Sequence, residues 1–410
     1  MAVREGALAS RQFRAEKPKE LARLPVPQLV DALLQQALQE RASDIHIEPA
    51  TQGLRVRFRI DGMLREKELL PLEMQAAVLS RIKLLSALDI AEKRLPQDGR
   101  WRVQKENQDV DVRVSTLPVQ GGEKAVLRIL PFRGMRQNIE TLGFSKDALQ
   151  RYRLLYQKPQ GIILICGPTG SGKTTTLYAT LAELNRPESN LVSIEDPVEL
   201  QLAGMNQVQV NAKAGLTFAT ALRAILRQDP NIIMVGEIRD AETADAAVRA
   251  AMTGHLVFST LHTNDAAGAV ARLLDLGVPP FLVAASLLGV VAQRLVRLVC
   301  QECRQSYQPA EHTAEEMLLK DVPEGKRSFV KGCGCAACGQ TGYRGRQAIY
   351  EVMPVTSRLR QLIQEKAAAY EIAAAAREEG MHTMSEDGVA KAAAGLTSLS
   401  EVVRVAAGMA

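Results

Sequence analysis

The chain has 410 residues, 46% of them apolar and 24% charged, with a formal net charge of +5; this is the balance of a soluble globular protein of two or three domains. So small an excess does not by itself argue for nucleic acid. The longest apolar run, Phe281 to Ala292, has 12 residues, whereas a bilayer-spanning helix needs about 20. Residues 1–24 lean basic and hold no apolar core, so they read as a flexible arm and not as a secretory signal.

Val26 to Glu40 has helical apolar spacing, after which the period changes to two. In "SDIHIEP" Ile45 and Ile47 alternate with Asp44, His46 and Glu48, and in "LRVRFRIDG" Leu54, Val56, Phe58 and Ile60 alternate with Arg55, Arg57 and Arg59. Such alternation predicts half-buried strands, and Asp61-Gly62 supplies a turn. A helix over Pro71 to Leu88 and strands at Trp101–Gln104, Val110–Leu117 and Ala125–Leu130 complete an α+β domain over 25–132. A linker is expected at 133–140. The arginines on alternate positions, about 7 Å apart, can meet phosphate or carboxylate, or line an exposed strand face. Arg113 and Arg128 are similar candidates.

From Gly161 the pattern becomes α/β. "GIILIC" has buried-strand length, and Gly167-Pro168-Thr169-Gly170-Ser171-Gly172-Lys173-Thr174 fits the phosphate loop G-x-x-x-x-G-K-[ST] at every fixed position. A helix-compatible run from Thr175 follows. Glycines let backbone amides turn onto phosphate oxygens, the helix N-terminus adds partial positive charge, Lys173 reaches the outer phosphates, and the Thr174 hydroxyl suits magnesium. Apolar strands recur at Leu191–Ile194, Ile232–Val235 and Leu256–Leu261, which predicts a parallel sheet covered on both faces. Six cysteines in such a chain read as metal ligands or buried thiols, not disulfides.

Nucleotide hydrolysis needs metal ligands, a group that orients water and positive charge for the transition state. In "IIMVGEIRD" Glu237 follows a strand end, where ligands bind in such sheets, and it is the choice for orienting water. In "VSIEDPVEL" Glu195 and Glu199, ahead of Asp196, are expected around the magnesium ion, directly or through water. His255 and His262 bracket the strand of "TGHLVFSTLHTND", with His262 at the same sheet edge as Glu237. Both are candidates for sensing phosphate or linking the site. Cys300-x-x-Cys303 and Cys335-x-x-Cys338 supply four thiolates suited to tetrahedral zinc. Cys333 is a fifth thiol able to compete with Cys335, and Cys166 reads as a small buried side chain. Ser398-x-x-Glu401 reads as a capping box for a last helix.

These stretches, together with "RLPQDGR", "QVQVNAKAGLTFATALRAILRQDP", "ETADAAVRAAM", "CGQTGYRGR" and "EDGVAKAAAGLTS", resemble the secretion ATPase superfamily that powers type II secretion and type IV pilus assembly, over about Val26 to Val405. The resemblance implies a PAS-like N-domain, a RecA-like ATPase core (141–299), a tetracysteine zinc module (300–345) and a C-terminal helical region (346–410). It also implies a homohexamer with ATP, Mg2+ and Zn2+, and a nucleotide lying between N-domain and core. Glu195 to Glu199 fall on the family's Asp box, Glu237 on its Walker B motif and His262 on its His box; Thr175 joins the loop residues. Arg59 and Arg113 become nucleotide-facing arginines. The four cysteines match the assembly and secretion branch, not the retraction branch. The expected setting is cytoplasmic, at the inner face of the cell membrane, through a membrane platform protein and other membrane-anchored assembly proteins. No direct nucleic-acid contact is expected. A DNA-uptake pilus motor, a DNA-handling secretion motor and a non-catalytic nucleotide-gated scaffold are the rivals. Two departures stand out. Only a short stretch precedes the shared region, so docking through a further N-terminal domain is not expected. Asn231 stands where the Walker B segment commonly has aspartate.

Overall fold

Alternating apolar and charged residues give the first part of the chain its sheet. The computed structural model describes residues 20–105, 108–131, 138–319 and 328–406, in two compact units divided at residue 133. Residues 1–19 of the expected arm and 132–137 of the expected linker lie outside the described residues. Glu20–Arg23 forms a 3-10 turn, and Leu21, Ala22 and Leu24 pack against the first core.

In the first unit, α1 (Val26–Gln39) carries a proline in its first turn, where a fixed φ suits helix entry. Strands β1 (Ala42–Ala50), β2 (Gly53–Ile60) and β3 (Met63–Leu70) follow, then α2 (Gln75–Leu85), β4 (Gln97–Lys105), β5 (Gln108–Val119) and β6 (Gly122–Pro131). The expected helix over Pro71–Leu88 is shorter, because Leu72–Met74 winds as a separate 3-10 turn. All six strands form one antiparallel sheet in the order β3-β2-β1-β6-β5-β4. Leu29, Leu33, Ile45, Ile47, Val56, Phe58 and Ile82 share its core. Asp44, His46 and Glu48 alternate away from that core, yet they are buried too. Arginine and lysine stems cover them: Glu48 is bridged by Arg57 at 2.6 Å and Lys124 at 2.7 Å, and Asp44 by Arg128 at 3.0 Å.

The second unit opens with α3 (Lys146–Tyr156), β7 (Gly161–Cys166), α4 (Lys173–Leu184), β8 (Leu191–Glu195) and β9 (Asn206–Gln209). It continues through α5 (Phe218–Ile225), β10 (Ile232–Val235), α6 (Ala241–Met252), β11 (Leu256–Leu261), α7 (Ala266–Asp275), α8 (Pro280–Ser286) and β12 (Leu287–Val299). The sheet order is β15-β12-β7-β11-β10-β8-β9, with β15 at Tyr343–Pro354. Both faces are covered, as the continuous apolar strands predict. Ile162, Leu164 and Cys166 enter one apolar cluster, while Ile163 and Ile165 enter the other.

The expected parallel sheet is corrected at one edge, where β15 runs antiparallel to β12. Residues 346–354, expected to begin the helical region, therefore complete the sheet. The chain turns back through the cysteine segment, which holds the ribbon of β13 (Arg304–Tyr307) and β14 (Phe329–Gly332) and the short α9 (Ala314–Met317). Helices α10 (Ser357–Gln364), α11 (Ala369–Glu378), α12 (Met384–Ala393) and α13 (Leu399–Ala406) follow β15. At α13 only half of the expected capping box forms. Ser398 Oγ accepts from Glu401 N at 3.2 Å, but the Glu401 carboxylate is taken by Arg297 and Arg404.

Candidate active site at the phosphate loop

Six buried residues carry β7 to Cys166, and the chain then turns through Gly167 to Gly172 into α4. Gly167 adopts φ 147°, and a Cβ there would sit 2.4 Å from the Gln293 carbonyl oxygen, so only glycine fits. Gly172, at φ 89°, caps α4. Pro168, Thr169 and Gly170 are exposed, Ser171 and Lys173 are buried, and Thr174 and Thr175 are half-buried. The Lys173 ammonium folds onto its own loop, donating to Gly167 O at 2.7 Å and Pro168 O at 3.1 Å. Burial lowers its pKa. Both carbonyl oxygens accept from the ammonium, which has three N–H donors and no acceptor of its own.

Glu237 lies just past β10, on a segment pinned to both neighbouring strands. Gly236 N donates to Ile194 O at 2.8 Å and Ile238 N to Thr260 O at 3.1 Å. The Glu237 side chain is only 13% exposed and is held by Arg239 at 2.5 Å and by His262 Nε2 at 3.4 Å. The structure thus brings Glu237 and His262 together at the carboxyl edge of the sheet. Arg239 was missed in the sequence; its i+2 position in "GEIRD" is the signal that could have found it.

Glu195 is buried at the end of β8. One carboxylate oxygen accepts from the Tyr178 hydroxyl. The other accepts from Ser193 Oγ at 2.6 Å and Gln207 Nε2 at 3.0 Å. Its hydrogen bonds therefore tie α4, β8 and β9 together, and no periodic signal marked Tyr178 or Gln207 as its partners. Asp196 and Glu199, past the strand end, are exposed.

His255 is not brought to this edge. It precedes β11, at the opposite end of that strand from His262, and its Nδ1 lies 2.9 Å from Ala250 O. Asn231 is likewise at the amino end of β10, with Oδ1 accepting from Asn190 N at 2.7 Å. A carboxylate at that position would not reach the phosphate loop. In the first unit Arg59 lies 3.6 Å from Asp44 and donates to Gly62 O at 2.9 Å. Arg113 stands opposite Arg128 on β6 and Arg100 on β4. Arg55 and Arg57 meet the carboxylate of Glu48.

β12 runs directly into the cysteine cluster. The sulfurs of Cys300, Cys303, Cys335 and Cys338 all lie within 4.8 Å of one another. Three of the contacts are 3.8, 3.9 and 3.8 Å, close to the roughly 3.8 Å edge of a tetrahedron with Zn–S bonds of about 2.3 Å. Burial alone would raise the Cys338 thiol, but amides of Cys335 and Gly342 donate to its sulfur at 3.2 Å and bring its pKa down to about 6. Cys333 is exposed and stands outside the four. Cys166 is wholly buried, and burial pushes its thiol up to about 12.

A phosphate loop at the carboxyl edge of a doubly covered sheet, with a held glutamate two strands away, defines a RecA-like P-loop ATPase domain. The family described as type II/IV secretion system protein matches residues 19–404, and the chain belongs to that family. It is 48% identical over 401 residues to the type IV pilus assembly ATPase PilB of Thermus thermophilus, covering 98% of this chain and 45% of that protein. It is 50% identical over 381 residues to the type II secretion system protein HxcR of Pseudomonas aeruginosa, covering 93% of this chain and 77% of that protein. The chain thus spans less than half the length of the first relative and about three quarters of the second. Among solved structures, the pilus retraction motor PilT with bound ADP matches at TM-score 0.60 and 28% identity, covering 91% of this chain and 95% of that one. The Legionella pneumophila ATPase DotB matches at TM-score 0.68 and 22% identity, covering 96% and 98%, a likeness of fold. No helix among the described residues is long and apolar enough to cross a membrane.

Proposed function

We propose that the chain hydrolyses ATP with Mg2+ and that the released energy drives assembly of a pilus or secretion pseudopilus through a membrane platform protein. The observation that carries the chemistry is Glu237, shielded from solvent and steered by His262 and Arg239 at the sheet edge that bears the phosphate loop. Such a carboxylate orients the attacking water, Lys173 and the loop amides neutralise phosphate charge, and the Thr174 hydroxyl takes the metal. Glu199 acts on the metal through water. Glu195, with both oxygens engaged, acts by holding the strand end. Catalysis of this kind is positioning and electrostatic stabilisation, with little covalent chemistry for the protein to perform.

The working form is a homohexamer on the cytoplasmic side of the membrane, as the resemblance implies. The four thiols hold Zn2+, which acts as a structural cross-link between β12 and the start of β15. Relatives in pilus assembly and in type II secretion are similarly close, so the proposal is the step those machines share. Lys173→Ala is expected to abolish ATP turnover by the assembled protein while leaving its thermal midpoint unchanged. Wild-type turnover in that variant would show that the hydrolytic site lies elsewhere.

A further inference from the structure

A phosphate loop works only if its carbonyls point away from the ligand, so that its amides point inward. Here one of those carbonyls is held from outside the loop. Strand β12 pairs with β7 as far as Ala292 and Cys166, so Gln293 is the first residue to run on alongside the loop. It is 1% exposed. Its Nε2 donates to Ser171 O at 2.8 Å in a buried hydrogen bond. Its backbone oxygen closes on Gly167, and its Nε2 lies 3.2 Å from where a Cβ of Gly172 would stand. One residue thus abuts the first glycine through its backbone and the last glycine and Ser171 through its side chain. Gln293 Oε1 and Ser171 Oγ are both buried with no hydrogen-bond partner among the described residues, a burial that costs free energy.

Of the other loop carbonyls, Gly167 O and Pro168 O accept from Lys173, Pro168 O also accepts from Ser171 N at 3.2 Å, and Gly172 O accepts from Thr176 N of α4 at 3.1 Å. The Lys173 ammonium must leave its two acceptors to reach a phosphate. The Gln293 bond needs no such release. The next residue extends the link, since Arg294 donates to Asn264 Oδ1 at 2.9 Å, just past His262, and to Val405 O on α13 at 2.9 Å.

We propose that Gln293 is a positioning residue that pre-shapes the phosphate loop for nucleotide by fixing the Ser171 carbonyl. The proposal rests on the ATPase reading above and adds a residue outside the loop motif. Without this bond, bound phosphates must order the loop themselves. The loss then falls on affinity rather than on the chemical step.

The test uses the full chain, with Gln293→Met, which keeps the length of the side chain but cannot donate, and Gln293→Glu, which keeps its shape but presents a carboxylate to the Ser171 carbonyl. Calorimetric titration with ADP and with a non-hydrolysable ATP analogue is expected to show both ligands weakened by about 10-fold. The KM for ATP should rise by a similar factor while kcat at saturation falls less than about 3-fold. Unchanged affinities, or a fall in kcat with KM unmoved, would overturn the positioning role. If Gln293→Met does not fold, Gln293→Glu carries the same expectation alone. Wild-type protein that binds neither nucleotide would overturn the ATPase reading instead, and is distinguished by failing before any variant is made.

Discussion

Glu237 and Glu351 show how the same side chain is given different work by its surroundings. Glu237 keeps a little exposure and two cationic or polar partners. Glu237→Gln is expected to lower kcat by about 100-fold or more, because the amide cannot accept the water proton. ATP affinity should hold; a variant that loses affinity but keeps kcat would move the glutamate out of the hydrolytic step. Glu351, on β15, is buried, with one oxygen accepting from Ala266 N at 2.8 Å. Burial pushes its pKa up to about 7, from an ordinary 4.5. The folded chain therefore holds this proton to higher pH than the unfolded chain does. The resulting stability is whole below about pH 4.5 and is lost as pH rises through about 7, amounting to roughly 3 kcal/mol. Glu351→Gln keeps the acceptor but not the charge, so its thermal midpoint should fall less between pH 5 and pH 8 than that of the wild type. Parallel curves for the two proteins would remove Glu351 as the cause.

Element by element, legibility followed periodicity. Ile45, Ile47 and the arginines of β2 declared their strands by strict alternation, and "GIILIC" declared a strand buried on both faces. The run from Phe281 to Ala292 declared neither type, because a short apolar run fits helix and strand alike. In the fold it splits into α8 and β12 at Ser286–Leu287. Gly289 sits where β12 passes closest to its neighbours: a Cβ there would lie 2.4 Å from Leu155 Cδ1 and 2.9 Å from Met353 O. Gly289→Ala is expected to cost about 1–3 kcal/mol, read as a lower denaturation midpoint with the denaturant slope unchanged. A neutral outcome would mean that α3 moves aside freely. The return strand β15 also escaped the sequence reading, because its partner β12 is separated from it by the whole cysteine segment.

Across the chain, the first unit has one apolar cluster and the second has one on each face of its sheet, while the four cysteines gather in a segment of short ribbons. Where four thiolates hold zinc, metal binding is coupled to folding. Stripping metal with a strong chelator, or replacing Cys338 by serine, should lower the thermal midpoint by about 5 °C or more. Elemental analysis of the purified protein should find about one zinc per chain. Metal-free protein that melts like the untreated protein would leave the four thiols as a packed cluster only.

The phosphate loop, the glutamate after β10, the two Cys-x-x-Cys pairs and the division into an α+β and an α/β part could all be read from the linear chain. Each rests on residues near one another in sequence, where spacing and period carry the signal. The fold alone turned His255 away from the site, enlisted Arg239 and Gln293, closed Tyr178, Ser193 and Gln207 around Glu195, and reversed β15 beside β12. Those pairings join residues far apart in the chain or set by strand direction. A contact between distant segments depends on packing, and packing leaves no period in the sequence to read.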